Sequence, residues 1–194
     1  MRFTKQILAV IFATTIIGIN TACAQDTIDR LQPLVETTAH RLSIARQVAL
    51  AKWDGGTAVE DPSRETQIIA SAVREGGSKG LDPSSVSTFF GAQIEANKVV
   101  QYSLIADWNR SGTAPTHVPI DLVTSMRPEL DRIQTRLIEE MADTATIRAT
   151  SSCRIDVAKA IGKYASMHKN EVGPLQLIAL DRALAATCPI SHHP

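Results

Sequence analysis

From Leu31 to Trp108 the apolar residues recur every three or four positions, and no long run of them alternates. Such a chain gathers its apolar side chains on one face only as a helix, because only a period near 3.6 residues brings them together. Proline and glycine cluster between the periodic stretches, and aromatic residues make up only 4% of the chain. The spacing predicts a first helix over about Thr27–Trp53, ending in "DGGTAVEDP". Asp61-Pro62 reads as an N-cap followed by Pro at the first helical position, opening a helix that stops at Gly76-Gly77. Asp82-Pro83 repeats that signal and opens a long helix to about Trp108, with Val86, Phe89, Phe90, Ile94, Val100, Leu104, Ile105 and Trp108 on one face. A polar linker, Asn109 to Asp121, precedes helices near 128–148, 153–168 and 173–187. They carry stripes such as Leu130, Ile133, Leu137 and Met141, or Leu177, Ile178, Leu180 and Leu184. The expectation is an all-α, single-domain bundle of about six helices.

The first 24 residues read as an export signal. Arg2 and Lys5 form a basic start, Ile7 to Ile19 carries no charge, and Ala22-Cys23-Ala24 offers small residues for cleavage after Ala24. Acylation of Cys23, as in a lipoprotein, is the rival reading. The apolar run is short for a bilayer span and no second one follows, so no membrane attachment is expected after cleavage and the protein is placed in the periplasm or outside the cell. Residues 25–194 then form one domain, in which 25–110 carry the active-site helices and 121–194 supply one Arg and the cysteine pair. Removing Arg2 and Lys5 leaves 18 basic against 20 acidic residues, a balance with no field for nucleic acid. Cys153 and Cys188 are the two remaining cysteines, and in an exported chain they are read as bridged, the alternative being two buried thiols. The bridge would stabilise by about 4 kcal/mol on the chain-entropy model. The terminal "SHHP" reads as a frayed tail.

Three helices break their own apolar pattern. Arg41 and Lys52, eleven residues and about three turns apart, fall inside the arc of Leu34, Ala45, Val48 and Ala49. Glu65 lies among Ile68, Ile69 and Ala72, with Arg64 at the edge. Asn97 and Gln101 stand one turn apart between Ile94 and Leu104, with Gln93 one turn earlier. Taken singly, each break has a bland explanation, since long cations reach from a core edge to water and amides satisfy buried backbone groups. Packed together, the three faces would build a cation-rich polar pocket inside a helical core. Such a pocket suits a small dianion and not a metal, because it lacks Cys and His and holds few carboxylates.

At these residues the sequence resembles the all-helical, type II chorismate mutases, specifically their secreted branch, the gamma subclass. The resemblance is carried in order by Arg41, Lys52 in "LAKW", "EDPSRE" and "FFGAQIEANKVVQ", together with the export signal and the late cysteine pair. It implies rearrangement of chorismate, a dicarboxylate bearing an enol ether and a ring hydroxyl, to prephenate, on the route to the aromatic amino acids. It implies no cofactor and no metal, and a homodimer. By resemblance Arg41 clamps a substrate carboxylate, Lys52 reaches a carboxylate and the ether oxygen, and Gln101 donates to that same oxygen. Glu65 accepts from the ring hydroxyl with Asp61 nearby, and Arg64 and Asn97 hold a carboxylate from the side. Asn97 replaces the hydroxyl side chains of other members. Arg127, in "TSMRPEL", matches a last cation that other branches borrow from a partner subunit. Pro128 disfavours a helical conformation for Arg127, so it is expected at or just outside a helix start.

Two other readings remain. One is a non-catalytic periplasmic bundle that binds or senses a ligand. The other is the same fold eliminating pyruvate from isochorismate by a related pericyclic route. His40, His117 and His168 pair with no plausible Ser or Cys nucleophile, so acyl-transfer chemistry is not expected.

Overall fold

The structure, a computed structural model, describes residues 17–189, with side chains from residue 25 onward. The charged start of the export signal, the Cys23 side chain and the His-containing tail lie outside what is described. Helix α1 spans Ile17–Gly55, starting before the expected Thr27. A cut after Ala24 would fall within this helix, ahead of its buried residues, which begin at Leu31.

Both Asp-Pro signals cap helices. Asp61 accepts from the Arg64 amide at 3.0 Å and opens α2, Pro62–Ser78. Asp82 accepts from the Ser85 amide at 2.7 Å and opens α3, Pro83–Ser111. Helix α2 does not stop at Gly76-Gly77 as expected. Gly76 sits buried inside it because α3 passes so close that a Cβ there would lie 2.8 Å from a Val86 methyl. The turn is made later, at Gly80 with φ +74°.

Beyond α3 the chain returns through the linker to a π-helical turn, Leu122–Met126, and then α4, Arg127–Asp143. Arg127 has helical φ and ψ of −60° and −46° despite the following proline. Its amide donates to Leu122 in the wide π turn, and Pro128, which has no N–H to offer, falls where the two helical ladders join. The single helix expected over 128–148 is divided. Thr144 turns its hydroxyl back to the Glu140 carbonyl at 2.6 Å and ends α4, and the short α5, Ala145–Arg148, follows. Helices α6, Cys153–Met167, and α7, Pro174–Leu184, complete the bundle, giving seven helices among the described residues against the six expected. Ile178 is 62% exposed, not part of the buried stripe. The inner face of α7 is set by Ala179, Leu180, Ala183 and Leu184.

Helices α1 and α3 are the spine. Helix α1 packs on α3, α4, α6 and α7, while α3 also packs on α2 and α7. One core runs through Leu34, Leu42, Phe89, Phe90, Leu137, Met141 and Leu180. A second, smaller cluster joins the ends of α1 and α3, where Trp53 meets Trp108 edge-on. Two buried polar residues knit these layers. Gln93 donates to Thr38 and to the Ala183 carbonyl, which is the bland role weighed for it in the sequence. Arg148 donates to the Thr187 and Met141 carbonyls and to the Ser85 hydroxyl.

Cys153 and Cys188 are bridged, with Cα atoms 5.9 Å apart. The bond ties the start of α6 to the segment after α7. Replacing both cysteines with alanine should lower unfolding stability by about 2–4 kcal/mol, read as a fall in the urea midpoint with a steeper slope as the released denatured chain exposes more surface.

Candidate active site

Residues from five successive elements line one cavity of about 150 Å³, roughly ten times what a single water needs. All eight candidate site residues border it: Arg41 and Lys52 from α1, Asp61 from the cap of α2, Arg64 and Glu65 from α2, Asn97 and Gln101 from α3, and Arg127 from the start of α4. Apolar walls come from Val48, Ile68, Phe90, Ile94 and Leu130.

Arg41 is 6% exposed. Among the described residues no carboxylate pairs with it, and its Nε is buried without a hydrogen-bond partner. Burial alone draws its pKa down to about 10, which leaves it charged at neutral pH. Arg148 supplies the contrast within the same fold, since it is equally buried but engages protein acceptors at three of its nitrogens.

Lys52 donates to the Val59 carbonyl. Its pKa is lowered, chiefly by burial and further by the charge of Lys98, while Asp61 and Glu65 oppose that shift. Asp61 is held below the ordinary carboxylate range, first by the Arg64 amide, then by the Ser63 hydroxyl, with Lys52 and Arg127 adding attraction. Much of its hydrogen-bonding capacity therefore serves the cap. Arg64 lies 3.7 Å from Asp131 of α4.

On α3 the amides form a short chain. Asn97 donates to the Arg41 carbonyl at 3.4 Å, and Gln101 donates to the Asn97 side-chain oxygen at 2.6 Å. Asn97 thus has both ends engaged inside the protein. Gln101 keeps a second N–H, and its own oxygen is buried without a partner.

Arg127 reaches the cavity because of how the linker is fastened. His117 bonds Asp54 at 2.8 Å and the Pro115 carbonyl at 2.8 Å, pinning the chain to the end of α1. Asp121 then caps the π turn by accepting from the Val123 and Thr124 amides, and α4 starts beside the pocket.

Sequence reasoning missed Lys98, Asp131 and Gln134, which also line the cavity. Lys98 follows pocket-lining Ile94 by one turn, and Asp131 follows Arg127 by one turn, so helical spacing could have found both. Counted over the lining, five cations (Arg41, Lys52, Arg64, Lys98, Arg127) face three carboxylates (Asp61, Glu65, Asp131), a surplus of two positive charges. Among the described residues no group of His, Cys, Asp and Glu is placed to hold a metal.

The family model "Chorismate mutase type II" matches residues 25–102, a span that holds seven of the eight candidate residues and ends before Arg127. The chain is 31% identical over 183 residues to a secreted chorismate mutase of Mycolicibacterium smegmatis, covering 93% of this chain and 99% of that one. Among solved structures it is similar to the chorismate mutase of Burkholderia phymatum, with TM-score 0.79 and 39% identity over 84% of this chain and 98% of that one. It is also similar to the secreted chorismate mutase of Yersinia pestis, with TM-score 0.64 and 25% identity over 81% of this chain and 94% of that one.

An unpaired buried cation destabilises the fold that holds it. Arg41→Met should therefore raise the unfolding free energy by about 1 kcal/mol. A small dicarboxylate should raise Tm for the native chain and leave the variant unmoved. Thermal melts with and without the dianion check both statements.

Proposed function

The chain belongs to the type II chorismate mutase family, and on that premise we propose that its cavity rearranges chorismate to prephenate. The observation that carries this reading is the buried Arg41, paired with no carboxylate among the described residues, at a cavity with apolar walls and further cations, the complement of a cyclic dicarboxylate. The reaction is internal. The ether C–O bond breaks as a C–C bond forms, with six electrons moving round a ring and no proton or electron leaving. The protein must hold the folded, chair-like conformer and stabilise negative charge on the ether oxygen as the bond parts.

Each residue then has a task. Arg41, with no anion to meet among the described residues, takes one substrate carboxylate in its planar fork. Arg64 and Arg127 close on the carboxylates from the α2 and α4 sides. Lys52, half-buried and held by one carbonyl, offers its remaining N–H groups to a carboxylate and the ether oxygen. Gln101 gives its second N–H to that oxygen, with Asn97 fixing the amide's direction. Glu65 accepts from the ring hydroxyl beside Asp61. All of these side chains come from one chain, so a homodimer, which the family resemblance implies, would not be needed to complete the pocket. Export through the segment before Gln25 is part of the same proposal, supported by relatives described as secreted.

Loss of chorismate absorbance with formation of prephenate tests the reading, and stoichiometric pyruvate would redirect it to the elimination reaction. Lys52→Ala should lower kcat by roughly a hundredfold or more, the usual loss for a donor to a developing oxyanion.

The pH profile separates the two donors. The Gln101 amide donates at every pH, so native activity should persist through neutrality. Gln101→Glu must be protonated to donate, so its activity should survive only in acid. At the alkaline end the charged form of Lys52 is needed. Because burial lowers its pKa, activity should fail as pH rises at values below the ordinary lysine range.

A further inference from the structure

We propose that Lys98 is a positioning residue of this pocket, holding the Glu65 carboxylate where a substrate ring hydroxyl can reach it. The proposal rests on the chorismate reading above.

Lys98 is the meeting point of three carboxylates. Its ammonium lies 2.7 Å from Glu95, 3.3 Å from Glu65 and 3.9 Å from Glu60, and its side chain is only 12% exposed. Glu95 precedes it by three residues on α3 and steers the lysine from its own helix. Glu65 belongs to the first turn of α2 and Glu60 to the loop before it, so the ammonium bridges two separate elements. The two oxygens of Glu65 are held by different donors: one by Lys98 and the other by the Asp61 amide at 3.3 Å. A carboxylate gripped at both oxygens cannot rotate away, yet each oxygen retains a lone pair for one more donor. Glu60 is fixed in turn by the Tyr102 hydroxyl at 3.2 Å, which fastens the loop carrying Val59 and hence the carbonyl that Lys52 meets.

Electrostatics argue for a cation at this position. Without it, Glu60, Glu65 and Glu95 would face one another and a dianionic substrate with nothing between them. Glu95, contributing most, and Glu65 hold the Lys98 pKa above its ordinary value against the opposing effect of burial. The charge of Lys98 also depresses the pKa of Lys52. A lysine that served only to join α2 to α3 would not make its effect on substrate affinity depend on the Glu65 carboxylate.

Steady-state chorismate kinetics across pH on the native chain, Lys98→Met, Lys98→Arg, Glu65→Gln and the Lys98→Met/Glu65→Gln double variant test the proposal. Lys98→Met should raise KM roughly tenfold, with a smaller change in kcat, and should move the alkaline limb to higher pH as Lys52 loses a repelling neighbour. Lys98→Arg should recover most of the loss. In the Glu65→Gln background the same Lys98→Met change should add little. Lys98→Gln carries the same comparison should the methionine variant not fold. Independent, additive losses at the two positions, an unmoved alkaline limb, or no rescue by arginine would overturn the positioning role while leaving the mutase reading intact. A native chain that leaves chorismate unchanged would overturn both.

Discussion

A guanidinium enclosed in a helical core, with no anion to meet among the described residues, is the constraint around which the rest of this structure is arranged. Arg148 shows what the fold does with a buried arginine whose task is structural, giving it two carbonyls and a hydroxyl. Arg41 receives no such set. Its Nε is unpartnered and its pKa is drawn down by desolvation alone. Burial of that kind lowers stability, and it persists in a marginally stable fold only where another requirement outweighs it. A ligand carboxylate supplies what the protein withholds.

The remaining polar groups are held in place before any ligand arrives. Asn97 is engaged at both ends, because it links the Arg41 carbonyl to the Gln101 amide and so ties α1 to α3 at the pocket. The loop between α1 and α2 supplies the Val59 carbonyl to Lys52 and Glu60 to the Lys98 cluster. Such fixed donors suit a reaction with no covalent intermediate, in which stabilisation comes from dipoles already oriented toward the charge that develops.

Much of this was legible in the sequence, and the reasons differ by element. The two Asp-Pro caps placed α2 and α3 because the cap and the proline act within one turn, where no tertiary knowledge is needed. Arg41, Lys52, Asn97 and Gln101 could be found because a polar residue inside an apolar arc is visible from spacing alone. The failures are of another kind. Gly76-Gly77 looked like a stop because proximity to Val86 is a property of two helices, not one. Thr144 divided a helix through its own side chain, within a stretch whose apolar period runs on unbroken. Lys98 was overlooked because a lysine near a helix edge looks solvated until its three carboxylates, two of them from outside its helix, are brought to it by the fold.

The linker after α3 bears on how such a molecule can diverge. It is clasped to the end of α1 through His117 and begins its next turn on the Asp121 cap, with Arg127 at the end of that stretch. Between clasp and cap, Ile120 packs against the Leu50 and Trp108 cluster, so the stretch is anchored at three points before the guanidinium. Changes in the length of this stretch would therefore shift the reach of Arg127, while changes at Ile120 would also disturb the junction of α1 and α3.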